Sequence, residues 1–169
     1  MTATETVEKH TIAVLVANEP GALARVIGLF SGRGYNIESL TVAETDTKQK
    51  LSRITIVTSG TPMIIEQIKN QLNRIVPVHT VHDLTSEGPF VERELGLVKV
   101  TGGKQERARA LKTAEEFEAR VVSKGDSSLV FELTGTTRTL DKFIAAMAAL
   151  GHVEICRTGV AAITGAGNT

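Results

Sequence analysis

Two short stretches carry side chains suited to holding a small molecule: "NEPGAL" at residues 18–23 and "GYNIESL" at 34–40. The first lies between an apolar run and a helix-like segment. A helix N-terminus offers unpaired N–H groups and partial positive charge, which suit a carboxylate. The Asn18 amide beside it can bond either end of a zwitterion, and Gly21 permits close backbone approach. Ala22 and Leu23 follow as the first helical residues. Asn36 is either a turn residue or a second amide facing a ligand, and Ile37 could supply an apolar wall. That is the equipment for a small aliphatic amino acid. The same residues also fit a purely structural reading. Asn18 could be a helix N-cap accepting a first-turn N–H, Pro20 is tolerated early in a helix, and Gly21 would ease a tight turn.

No other constellation points to chemistry. Cys156 and His152 are four apart in an expected strand, on one face but well separated along it. His79 and His82 in "VHTVHD" are three apart on a strand and point to opposite faces, so they do not jointly hold a metal. The run "EEFE" at 115–118 reads as a solvated helix face. "GRGYNIES" lacks the third glycine of a dinucleotide fingerprint and follows a helix instead of a strand, and "GGK" at 102–104 lacks the spacing of a phosphate loop. No catalytic residue, metal site or nucleotide site is expected.

Composition narrows the function classes further. The 169 residues carry 19 basic and 19 acidic groups, split 8 to 9 over residues 1–90 and 11 to 10 over 91–169. Neither half has the basic surplus of a nucleic-acid binder. A single cysteine rules out an intrachain disulfide and fits a reducing compartment. No apolar run approaches the ~20 residues needed to cross a bilayer, and the N-terminus "MTATETVEKH" does not look like a targeting segment. The expectation is a soluble, cytoplasmic protein without nucleic-acid or membrane partners.

The elements that must position the two stretches follow from periodicity. "TIAVLVA" (11–17) is a β-branched-rich apolar run of strand length. Leu23, Val26, Ile27 and Phe30 recur at helical spacing over 21–33, with Gly32 and Gly34 ending that helix. Strands are expected over 35–45 and 52–59, a helix from Pro62, and a strand over 74–84 with Pro77 hinting at an edge. The second half repeats the order. Strands are expected at 95–101, 120–124, 128–135 and 152–163, and helices at 104–119 and 139–150.

Two βαββαβ units make an α+β protein of two ferredoxin-like sheets, each with both helices on one face. The expected division is an arm at 1–9, a first unit at 10–84, a linker at 85–94, a second unit at 95–163 and a tail at 164–169. The uncovered sheet faces and open edges make self-association the default expectation.

"VANEPGALARVIGLFSGRGYNIESLTV", followed by "LSRITIV" and "FVERELGLVKV", resembles the regulatory small subunit of acetohydroxyacid synthase, also called acetolactate synthase. The likeness is dense over residues 10–102 and looser beyond, where the order of elements is also the family's. The Pro-Gly-x-Leu turn occurs in many amino-acid-sensing ACT domains, whereas "GLFSxRGYNIESL" with "LSR" belongs to this family.

The resemblance implies that the first unit is an ACT domain that pairs side by side with its twin. A branched-chain amino acid, typically valine, would bind at that homodimer interface. One protomer would give Asn18, Gly21, Ala22 and Leu23, and the other Asn36 and Ile37. The subunit would have no chemistry or cofactor of its own. It would activate a separate catalytic subunit carrying thiamine diphosphate, Mg and FAD, and effector binding would withdraw that support. The alternative is an amino-acid-sensing ACT protein that regulates another enzyme or transcription. Two departures from the pattern stand out. Glu44 follows Ala43 where many members read Ala-Pro-Thr, and Pro20 removes one N–H from the turn where some members have Ser or Ala.

Overall fold

A computed structural model describes residues 6–167 of the chain. Residues to Val91 together with those from Val160 form one compact unit, and Glu92–Gly159 form the other.

The first unit contains β1 (Glu8–Ala17), α1 (Ala22–Arg33), β2 (Ser39–Asp46), β3 (Leu51–Gly60), α2 (Pro62–Leu72), β4 (Val78–Asp83) and the short α3 (Leu84–Glu87). Its sheet has the order β2-β3-β1-β4, with antiparallel pairing throughout. Register is fixed by the apolar residues: Ile12 faces Ile56, Val14 faces Ile54, and Leu40 also faces Ile56. Slipping any strand by one residue would turn its core set outward. Ile12, Val14, Val16, Ile54 and Ile56 pack on Val26 and Phe30 of α1 and on Ile65, Ile68 and Leu72 of α2. Each fully buried side chain of this size stabilises the fold by about 1.5–3 kcal/mol. Thr61 starts α2 by accepting the Ile64 N–H, with Pro62 at the first turn where a missing N–H costs nothing.

The opposite face of this sheet differs from the expected bare surface. Ala13 and Val57 point that way and are buried against Leu84, Phe90, Val160 and Ala162. The last described residues therefore return to the first unit. The Val160 N–H donates to Ser39 Oγ at 2.8 Å, and the Thr41 hydroxyl donates to the Val160 carbonyl. Arg53 Nη2 donates to the Ala162 carbonyl at 2.8 Å, and the Gly165 N–H donates to the Pro89 carbonyl at 2.8 Å. The expected strand over 152–163 accordingly breaks into β8 (His152–Arg157) and β9 (Ala161–Thr164). Residues 164–167 of the expected tail are described, and 168–169 lie outside the described residues.

Other boundaries also shift. Of the expected arm, residues 1–5 lie outside the described residues, while Glu8 and Lys9 open β1 and pair with Gly60 and Ser59. Residues 35–38 are irregular and not strand, and β4 begins after Pro77 because that ring has no N–H to give a ladder. The expected linker 85–94 is mostly structured. Its start lies in α3, capped by Asp83 accepting the Thr85 N–H, and its end in β5 (Phe90–Thr101), where Glu94 is buried.

The second unit runs through β5 into α4 (Lys104–Glu116), β6 (Arg120–Lys124), β7 (Ser128–Gly135), α5 (Thr137–Ala148) and β8. Its strand order β6-β7-β5-β8 matches that of the first sheet. Val98, Val100, Leu129, Phe131 and Leu133 meet Ala110, Ala114, Leu140, Phe143 and Met147. Arg157 ties three elements together. It donates two bonds to Glu94, at 2.8 and 2.7 Å, and one to Asp141 at 2.7 Å. Burial alone would raise the Glu94 pKa, but hydrogen bonds from Arg157 and Thr137 outweigh it and hold the carboxyl below its usual value.

Both units are thus α+β with the βαββαβ order. Among the described residues no helix is long and apolar enough to span a membrane, and no group of three or more His, Cys, Asp or Glu could hold a metal ion.

Candidate effector site

The turn "NEPGAL" is built between the end of β1 and the start of α1. The Ala17 N–H donates to the Pro77 carbonyl at 2.9 Å and the Asn18 N–H to the Lys50 carbonyl at 2.7 Å, which pins the end of β1 to its neighbours. Gly21, not Asn18, is the N-cap of α1, with φ 85° and ψ −9°. A side chain at that φ would be strained, so glycine is the residue that lets the chain turn here. Pro20 consequently lies outside the helix.

Asn18 is therefore not a capping residue, and its side chain is exposed. The Ala22 N–H is already used, donating to the Glu19 carbonyl at 3.2 Å, and the Ala22 methyl is buried. The first helical bond runs from the Arg25 N–H to the Gly21 carbonyl at 3.0 Å. Among the described residues the N–H groups of Gly21, Leu23 and Ala24 have no acceptor. These are the donors that a helix start presents to an anion. Leu23 is half-buried against the core and leaves part of its side chain beside them.

The second stretch lies at the other end of α1. Gly34 closes that helix with φ 69°, and the Tyr35 N–H returns to the Phe30 carbonyl at 3.0 Å. Asn36 is exposed; its carbonyl accepts the Thr58 hydroxyl at 2.7 Å. Ile37 is half-buried against the core. The N–H groups of Asn36 and Ile37 also lack an acceptor among the described residues. The Glu38 N–H donates to the Val57 carbonyl at 2.8 Å, and its carboxylate takes the Ser59 hydroxyl and Lys9 Nζ, the latter at 2.8 Å. Those bonds, Lys9 first and Ser59 second, lower the Glu38 pKa against a smaller opposing effect of burial.

The geometry within one chain keeps the two stretches apart. The 12 residues of α1 separate them by roughly 18 Å along the helix axis. Asn18, Gly21 and Leu23 cannot share a small ligand with Asn36 and Ile37 of the same chain. Each end presents unused donors and one exposed amide. Because the Ala22 N–H is spent on Glu19, the free donors at this turn are those of Gly21, Leu23 and Ala24. Thr58, a hydroxyl inside the apolar stretch "ITIVTS", is the side chain that reaches the Asn36 carbonyl.

The remaining candidates stay separate from this site. Cys156 is a free, exposed thiol, and it faces Leu97 in register while His152 faces Thr101. His82 pairs with Glu87 at 3.0 Å. A shallow cavity of about 340 Å³ lies in the second unit beside Phe117, Glu118 and the Arg120–Glu132 ion pair.

Comparison with known proteins gives consistent relatives. A family model described as an AHAS small subunit-like ACT domain matches residues 12–80, and one described as the small subunit of acetolactate synthase matches residues 93–166. The chain is 43% identical over 155 residues to a probable acetolactate synthase small subunit from Archaeoglobus fulgidus, covering 92% of this chain and 96% of that one. It is 43% identical over 157 residues to the acetolactate synthase isozyme 3 small subunit of Escherichia coli, covering 92% and 95%. Among solved structures, the acetolactate synthase small subunit from Thermotoga maritima superposes with a TM-score of 0.83 at 32% identity, covering 92% of this chain and 96% of that one.

Proposed function

Because the chain belongs to the acetolactate synthase small-subunit family, we propose that it activates the synthase's catalytic subunit and makes it sensitive to a branched-chain amino acid, valine first among them. It carries no catalysis itself; thiamine diphosphate, Mg and FAD reside on the catalytic partner. The observation that carries the reading is the pair of half-sites at opposite ends of α1, each with an exposed amide and unclaimed N–H groups. A homodimer through the ACT units brings the turn of one chain to residues 36–37 of the other.

In that dimer the N–H groups of Gly21, Leu23 and Ala24 take the effector carboxylate, and Ala22 forms the floor beneath them. The side chains of Asn18 and Asn36 serve its polar end, while Leu23 and Ile37 line its aliphatic side chain. Such a bridging ligand shifts the dimer only by binding one arrangement better than another. A coupling of ~1–3 kcal/mol gives a 5- to 150-fold effect. The lone unpaired Cys156 is in line with work in the reducing cytoplasm.

The test is reconstitution. Mixed with its catalytic subunit, the protein should raise the rate of pyruvate condensation, and valine should reverse that gain. No stimulation and no response to valine, leucine or isoleucine would end the proposal.

A further inference from the structure

Residues 35–38 belong to no helix or strand, so something else must fix the direction in which Asn36 and Ile37 point. Their backbone anchors are the Tyr35 N–H on the Phe30 carbonyl, the Glu38 N–H on the Val57 carbonyl, and the Thr58 hydroxyl on the Asn36 carbonyl. The first two act on either side of the pair. The third acts on Asn36 itself.

Thr58 has no exposed surface, and it sits on β3 opposite His10 of β1. Valine has nearly the same shape, and the same strand uses Val57 one position earlier. A hydroxyl buried without a partner is costly, so threonine is tolerated here because Oγ1 has one, the Asn36 carbonyl at 2.7 Å. Holding that carbonyl fixes the peptide plane between Asn36 and Ile37. It thereby sets where the unclaimed Ile37 N–H is aimed, and it limits the swing of the Asn36 side chain.

We propose that Thr58 is a positioning residue for the amino-acid effector: its buried hydroxyl holds the Asn36–Ile37 peptide in the orientation that receives the ligand. The assignment rests on the effector reading given above. Thr58 does not touch the ligand and contributes nothing to contact with the catalytic subunit, so its removal separates inhibition from activation.

The experiment is valine inhibition of the reconstituted holoenzyme carrying Thr58→Val, Thr58→Ser or Thr58→Ala. Thr58→Val should raise the half-inhibitory valine concentration by about five- to tenfold, the worth of one hydrogen bond. Stimulation of the catalytic subunit in the absence of valine should stay unchanged. Thr58→Ser keeps the hydroxyl and should return inhibition to within about twofold of the wild type, on the same hydrogen-bond argument. Should Thr58→Val fold poorly, Thr58→Ala removes the same hydroxyl without adding a methyl, and the Ser-to-Ala difference gives the same comparison. Inhibition of the Val or Ala variant at the wild-type concentration would overturn the positioning role while leaving the effector reading intact. A parallel loss of stimulation and inhibition, unrescued by Ser, would show a merely structural threonine. A wild-type holoenzyme indifferent to every branched-chain amino acid would instead overturn the effector reading, and this assignment with it.

Discussion

Replacing Val160 by alanine should loosen the first unit although the residue lies some 70 positions beyond that unit's last helix. Val160 is 3% exposed and packs with Ala13, Val57, Leu84 and Ala162 on the sheet face away from α1 and α2. Val160→Ala removes two buried methyl groups at about 0.8 kcal/mol each, and the cavity left behind raises the loss to about 2 kcal/mol. The bonds from its backbone to Ser39 and Thr41 remain. Hydrogen exchange read by mass spectrometry on peptides resolves where the loss falls. Where exchange needs opening of the whole unit, peptides across 39–60 should exchange about 30-fold faster. Peptides across 128–147, in the second unit, should keep their protection. Ile163→Ala, at a position 61% exposed, is the control and should change little. Unchanged exchange in 39–60, or an equal loss in 128–147, would refute the assignment of this segment to the first unit.

Two further substitutions test the second unit. Arg157→Met leaves the buried Glu94 carboxylate without its two bonds. It should cost about 2–4 kcal/mol, toward the lower figure because the Arg157 side chain is 30% exposed. The folded pKa of Glu94 lies below its usual 4.5. The stability it adds is therefore complete above that value and fades as the pH falls through the lower folded pKa. Urea unfolding between pH 3 and 7 should show this acid loss in the wild type and a flatter profile in Glu94→Gln. Gly96→Ala would place a Cβ 2.5 Å from Leu140 Cδ1 in the core, and should cost about 1–3 kcal/mol by overpacking, measurable as a lowered Tm.

Much of the architecture was legible in the residues. Apolar spacing at Val26 and Phe30, and at Ile65, Ile68 and Leu72, marks the helix faces that meet the sheet, and the βαββαβ order follows from the alternation of elements. What periodicity did not show was the return of Val160 and Ala162, because a few small apolar residues near a chain end have no period to read. One trace of it was present. "TIAVLVA" is apolar without alternation, and Thr11–Val14 are buried in succession, as happens when both faces of a strand are covered. The division between the units, at Val91/Glu92, falls inside the expected linker, but Gly88 and Pro89 break the chain only briefly between α3 and β5, so most of the linker is structured.

The candidate residues were legible by type, their local geometry less so. Asn18, Gly21, Asn36 and Ile37 stand out by type and by their places at helix ends. The capping role went to Gly21 instead of Asn18 because the turn needs a positive φ, a backbone demand that side-chain chemistry does not reveal. That Ala22 spends its N–H on Glu19, and that Thr58 reaches Asn36, are consequences of three-dimensional approach between residues whose sequence patterns are silent about each other.

Mixing two lesions shows whether the effector site is shared between two chains. Asn18→Ala and Asn36→Ala homodimers should each bind valine weakly by calorimetry, since every site in them carries one lesion. Co-expressed and purified as a heterodimer with different tags, the two variants place both lesions in one site and leave the other whole. One valine should bind per heterodimer at wild-type affinity. A heterodimer that binds as weakly as either parent would mean that each site is completed within a single chain, and a shared site would be ruled out.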